Sequence, residues 1–193
     1  MIKLLNSIIT RLETIDIKEA EELELVSGAF RGEYEMIVIR EEILPENKFR
    51  KYPILREKAV AMLRINHKLA NSGKIRLIDL RDENFILMDK LTAPYKIFYG
   101  ACLKAGFEPN IVLAPRIESI IISNVREGEG ISLMFESDTE AETFNFKDIC
   151  LVPLEDEVTS RIVLAAPKSA KVSRAEKILA RELHALHTGT MKQ

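Results

Sequence analysis

Apolar residues recur along this chain in two patterns, spaced near 3.6 or packed into compact runs, and the alternation predicts an order of elements. Before Ile17 two readings stay open. Leu5, Ile8, Ile9, Leu12 and Ile15 fit a helical stripe, whereas Ser7–Leu12 equally reads as a short strand rich in branched side chains. Ile17–Phe30 predicts a helix, because Lys18-Glu19-Ala20-Glu21-Glu22-Leu23 consists of strong helix formers and Gly28 and Gly32 weaken its end. Compact apolar runs predict strands at Tyr34–Arg40, Lys58–Ile65, Asn84–Met88, Asn110–Leu113, Ile131–Phe135, Ile149–Pro153 and Arg161–Ala166. Helical spacing predicts Ala93–Ala105, closed by Gly106, then Ile117–Val125, ending near Gly128 and Gly130, and Ser173–His187 with Ser173 as N-cap. Ile75–Leu80 is a short linker element, and the charged stretch Asp79–Asn84 and Asp148 are candidate crossings between lobes. Strands alternating with helices at this spacing predict α/β lobes with mainly parallel sheets.

Composition narrows the class. The 193 residues are 47% apolar, 30% charged and 6% aromatic, the balance of a globular protein with chain enough for one large domain or two small lobes. A net charge of −2 argues against a nucleic-acid surface, which is usually strongly basic. Two distant cysteines, Cys102 and Cys150, make no disulfide framework and suit a reducing compartment. The N-terminus offers no signal-peptide core and no apolar run reaches membrane-spanning length, so the expected location is cytoplasmic, with no membrane partner.

Catalytic and metal motifs are absent or fail on context. His184 and His187 share a helical face, but no third ligand stands near them, and a pair of surface histidines is the simpler reading. His67 reads as a solvated loop residue. Cys102 lies within the apolar pattern Phe98–Leu103, where a small buried hydrophobe is the default. Gly128-Glu129-Gly130 follows a helix and precedes a strand, the reverse of a dinucleotide-binding loop, so it is a turn. The acidic runs Glu41-Glu42, Asp138–Glu142 and Glu155-Asp156-Glu157 read as solvated faces. The expectation is a non-enzymatic protein with no catalytic residue, metal or cofactor.

A series of blocks points to a family. Gly32-Glu33-Tyr34-Glu35-Met36-Ile37-Val38-Ile39, Pro53-Ile54-Leu55-Arg56-Glu57, His67-Lys68-Leu69-Ala70, Ile78-Asp79-Leu80-Arg81-Asp82-Glu83-Asn84-Phe85-Ile86 and Cys102-Leu103-Lys104-Ala105-Gly106-Phe107-Glu108-Pro109 follow one another in order. Glu118–Val125 and Gly128-Glu129-Gly130-Ile131-Ser132-Leu133-Met134 complete the series. In that order and spacing they resemble the effector-binding domain of LysR-type transcription regulators, over most of the chain. The chain departs from the family pattern in places: Glu35 stands for an Asp, Lys68 for a Pro, and Phe135-Glu136 where a Pro is usual.

The resemblance implies a fold like the type II periplasmic binding proteins, two Rossmann-like α/β lobes joined by a two-strand hinge around a ligand cleft. It divides the chain into residues 1–82 plus 151–193 as lobe one and 83–150 as lobe two. With residues 8–14 as the family's second strand and 17–32 as its second helix, the first strand of lobe one is missing. It also implies a small-molecule effector, a homodimer or homotetramer, and DNA contact only through a winged helix-turn-helix domain that these residues do not include.

Such folds bind ligands at the carboxyl ends of strands, where loop amides and helix N-termini converge. That rule selects Thr14 and Arg40 in lobe one, the latter able to pair with a carboxylate. In lobe two it selects Met88, Asp89 and Thr92, then Glu118 and Ser119, then Glu136 and Ser137. Each is also an ordinary loop or cap position, Thr92 and Ser119 especially. The acids Asp89, Glu118 and Glu136 suit an amine-bearing or zwitterionic ligand. Two alternatives share the fold: a free-standing solute-binding protein, and a truncated family member that hetero-oligomerises without binding DNA.

Overall fold

The structure is a computed structural model, described here for residues 16–136 and 146–187. The predicted element at 5–15, strand or helix, lies outside the described residues. The chain forms two compact units, Met1–Arg56 with Arg161–Gln193, and Glu57–Ser160. These limits differ from the lobes expected above, since residues 57–82 and 151–160 belong with the second unit. Asp79–Asn84 and Asp148 likewise fall inside it. The passages from one unit to the other lie within two strands, at Arg56-Glu57 and Ser160-Arg161.

In the first unit, helix α1 (Glu22–Arg31) ends on Gly32, whose left-handed φ of 77° returns its N–H to Ala29 and Gly28 carbonyls. Strand β1 (Ile37–Arg40) runs antiparallel to β7 (Thr159–Pro167), with Arg40 opposite Ile162 and Ile37 opposite Ala165. The two-residue alternation of these strands sorts their side chains into two layers. Ile37, Ile39, Val163 and Ala165 pack with Ala29 of α1. Ile162 and Leu164 pack with Leu179 and Leu183 of α4 (Arg174–His187).

One carboxylate in that second layer is buried. Glu176, 2% exposed, accepts from Arg50 Nε at 2.6 Å and Nη2 at 2.8 Å, and from the Tyr52 hydroxyl at 2.9 Å. Ser173 Oγ accepts the Glu176 N–H at 3.0 Å and so caps α4 as the sequence predicts. The Arg50 guanidinium holds the Glu176 carboxyl below the usual glutamate range, against the opposing pull of burial.

The second unit is built on β2 (Phe49–Arg64), sixteen residues long and begun nine residues before the strand predicted at Lys58. Its last half pairs antiparallel with β5 (Ser132–Phe135) on one side and β6 (Ile149–Pro153) on the other. Beyond β5 the order continues through β3 (Asn84–Ile86), joined by Ile86 N–H to Ile131 O and Ile131 N–H to Asn84 O at 2.8 Å each, to β4 (Asn110–Leu113), parallel to β3. The sheets are therefore mixed, and the expectation of mainly parallel sheets is corrected. An apolar run reports burial and not direction. The parallel contacts, β3 with β4 and Phe85 with Ile131 before β5, are between segments joined through the helices at Ala93–Lys104 and Glu118–Glu127, as parallel pairing requires.

Helices α2 (Ala93–Lys104) and α3 (Glu118–Glu127) cover opposite faces of this sheet. Ala59, Ala61, Leu63, Phe85 and Leu133 pack with Phe98 and Cys102 of α2. Val60, Met62, Ile86 and Met134 pack with Ile121, Ile122 and Val125 of α3. Burial pushes the Cys102 thiol up to about 12, so it is the inert hydrophobe that its pattern suggests. Gly128 closes α3 at a φ of 86°. Gly130 serves a different need: a Cβ there would meet the Asn84 carbonyl at 2.7 Å, the same oxygen that Ile131 bonds.

Among the described residues no helix is long and apolar enough to cross a membrane. Removing one partner of a buried ion pair costs about 3–5 kcal/mol, and Glu176→Ala is expected to fall in that range by denaturant unfolding. Because the folded-state pKa of Glu176 is depressed, its contribution is complete above about pH 4.3, the ordinary glutamate value, and fades as the pH falls further. The variant should therefore lose less stability than the parent on acidification below that value.

Candidate functional site

Two crossovers in the second unit leave β3 in opposite directions. From β3 through α2 the chain goes outward to β4, and from β4 through α3 it returns past β3 to β5. The helices leave on opposite faces, so the loops at the carboxyl ends of β3 and β4 stand at a topological switch point, the place where open α/β sheets bind ligands.

The loop after β3 is tightly organised. Asp89 donates its N–H to Pro115 O at 2.9 Å, and Asp89 Oδ1 accepts from Leu91 N–H at 3.0 Å. Arg116 Nε stands 3.5 Å from Asp89 Oδ2. Thr92 is the N-cap of α2: its hydroxyl donates to Asp89 O at 2.7 Å and accepts from Tyr95 N–H at 3.4 Å. Pro94 in the first turn needs no partner for the N–H it lacks. The Asp89 carboxylate, partly buried at 24% exposure, therefore sits between a backbone donor and an exposed guanidinium.

The structure brings Met88, Asp89 and Thr92 into one loop, and the Asp89–Pro115 and Asp89–Arg116 contacts tie that loop to the segment opening α3 with Glu118 and Ser119. Met88 packs against the cluster of Ile86 and Ile121, so part of its surface serves the core. Ser119 does not cap α3: the N-cap is Ile117, with no side-chain bond, because the helix begins one residue before the serine. Glu136 is exposed directly after β5. Arg40 ends β1 in the other unit, half-buried, where a 3-10 turn at Glu41–Ile43 begins. Thr14 and Ser137 lie outside the described residues. Arg116 was missed by sequence reasoning, although it follows β4 by the same strand-end rule.

A depression of about 390 Å³ lies elsewhere in the unit, walled by Leu77, Ile97, Ala101 and Val158 with Lys104 and Asp156. Asp156 there already accepts the Leu77 N–H at 2.6 Å, and neither a strand's carboxyl end nor the start of α2 or α3 lines it. The chemistry therefore favours the switch point. No group of His, Cys, Asp and Glu able to hold a metal occurs among the described residues. His67 is not the solvated loop residue expected: Nδ1 accepts Leu69 N–H at 3.2 Å, and Nε2 lies 3.4 Å from Glu83, which Lys68 also engages at 2.7 Å.

Comparison with known proteins identifies the family and the fold. The family model described as LysR substrate binding domain matches residues 13–187. GltC, a transcriptional dual regulator of Bacillus subtilis (strain 168), is 31% identical over 121 residues, which is 61% of this chain and 39% of GltC. The chain spans about two-fifths of the length of the curated relatives it matches. Among solved structures, the C-terminal domain of a probable LysR family transcriptional regulator from Rhodococcus sp. RHA1 aligns with a TM-score of 0.81 at 19% identity, covering 95% of this chain and 91% of that one. The BenM effector binding domain with its effector benzoate aligns at 0.81 and 18% identity, covering 100% and 89%.

Loss of an N-cap costs about 1 kcal/mol. Thr92→Ala should be destabilised by that amount in denaturant titrations, with Thr92→Ser close to the parent, since serine keeps both hydroxyl bonds.

Proposed function

Because the chain belongs to the LysR substrate binding domain family, we propose that it binds its small-molecule effector at the switch point of the second unit and passes that event on to transcription. The observation that carries this reading is the loop in which Asp89 is held between Leu91 N–H and Arg116 beside the capped start of α2. Met88, Asp89, Thr92, Glu118 and Ser119, joined by Arg116, supply the contacts on this side, and Glu136 after β5 adds an acid. Arg40 in the first unit, and Thr14 and Ser137 outside the described residues, are candidates on sequence grounds alone. Charges of both signs at one switch point suit a small zwitterion or a ligand with an amine and a carboxylate. BenM binds benzoate, and carboxylates accordingly belong in any screen. Control of transcription is exerted through a helix-turn-helix domain joined to this one, and the ligand acts by shifting the population of assembled states.

The assembly is with a second copy of the chain. β4 pairs only with β3 among the described residues, so one of its edges is open. Around it Val112, Leu113, Ile117 and Ile120 are 38–58% exposed, an apolar surface beside unpaired backbone donors and acceptors.

Two experiments test these readings. In a thermal-shift screen against amino acids and aromatic acids, a true effector raises the melting temperature with concentration. The stabilisation is about 2.7 kcal/mol at a hundredfold excess over Kd, and Asp89→Ala should abolish it. A cooperative melt unmoved by every pool would sink the reading. In sedimentation runs, Val112→Lys with Ile117→Lys should turn a self-associating chain into a monomer. Unchanged association would remove β4 from the interface.

A further inference from the structure

Helix α4 and the turn before it carry a row of cations that the effector reading does not use. Lys168, Lys171, Arg174, Lys177 and Arg181 recur every three or four residues, and all five are exposed. Within the helix, Arg174, Lys177 and Arg181 share the face opposite Glu176, Leu179 and Leu183, which are buried. Glu176 is the only acid from Pro167 to Arg181, and Arg50 holds it bidentately. None of the five cations enters an ion pair among the described residues.

This arrangement works against the fold. The start of a helix is the positive end of its dipole, so Arg174 and Lys177 sit at a pole that repels them, and they repel one another. An anionic partner would convert that repulsion into attraction. Within the helix, Arg174, Lys177 and Arg181 advance about 5 Å from one to the next along the axis, a spacing from which long Lys and Arg side chains reach neighbouring phosphates. An acidic protein partner would normally dock on apolar or aromatic anchors, but along this row only Val172, 45% exposed, is apolar and open. A membrane surface would need the apolar face of α4, which is already spent on the sheet. A sugar–phosphate backbone needs charge alone.

We propose that this row grips the phosphate backbone of DNA without reading its bases. The chain's net charge of −2 averages the row with the acidic stretch Asp16, Glu19, Glu21, Glu22 and Glu24, and so conceals it. The inference goes beyond effector binding and does not depend on it.

The test uses the full chain and a short labelled duplex of arbitrary sequence, with fluorescence anisotropy followed as salt is raised. Five phosphate contacts predict a slope of log K against log salt of about −4.5, falling to about −2.7 or shallower in R174E/K177E. At low salt that variant should bind at least about tenfold more weakly, in keeping with the loss of two contacts. K74E/K104E, reversing two exposed lysines elsewhere, should bind like the parent. The reversal of Arg174 and Lys177 complements the helix dipole, so the variant should melt at or above the parent temperature. If it does not fold, R174Q/K177Q serves with the same predicted slope. Absence of binding at low salt, or equal loss in K74E/K104E, overturns the proposal. Poly-glutamate competing as well as DNA at equal charge also overturns it, in favour of an acidic protein partner.

Discussion

The second unit depends on one constraint, that β2 is apolar on both of its faces. From Ala59 to Leu63 every side chain is at least 95% buried, odd positions turned to one layer and even positions to the other. A strand of that kind is stable only when both faces are covered. Phe98 and Cys102 of α2 cover one, and Ile121, Ile122 and Val125 of α3 cover the other. Helices on opposite faces oblige the chain to reverse its strand order, and that reversal puts the switch point beside Asp89. The position of the candidate site thus follows from the burial of five residues on a neighbouring strand.

The first unit solves the same problem at smaller scale. Its strands β1 and β7 carry apolar side chains to both faces, covered by α1 and α4. Here one covering layer contains a charge, and its energetics turn on Arg50 meeting Glu176 with matched fork geometry. The pairing fixes α4 against β2 through Arg50 and Tyr52 and leaves Arg174, Lys177 and Arg181 exposed on the opposite face of that helix.

Much of this was legible in the sequence, for identifiable reasons. Ser173 and Thr92 act as caps because hydroxyl residues before apolar-periodic segments have few better uses. The turn at Gly128-Glu129-Gly130 was legible because its glycines stand in the wrong order for a phosphate loop. Other features left no one-dimensional trace. The first half of β2 contains Pro53 and alternates with Arg50, Lys51, Arg56 and Glu57, so it lacks the compact run that marks the second half. Strand direction is set by connections, not by composition. Ser119 looked like a cap, yet Ile117 holds that position, since the helix start is fixed by packing of Ile121 and Ile122. Arg116 was hidden by falling between two better signals, the end of β4 and the start of α3. His67 looked solvated because its partner Glu83 lies sixteen residues away.

Gly130 shows how little matter can separate one architecture from another. Its missing Cβ lets the Asn84 carbonyl approach and bond Ile131, which sets β3 beside β5. Add one carbon there and that carbonyl must retreat, taking the neighbouring strand with it. The position therefore tolerates no side chain while the two strands stay bonded, and the seam between them rests on the absence of a single methyl group.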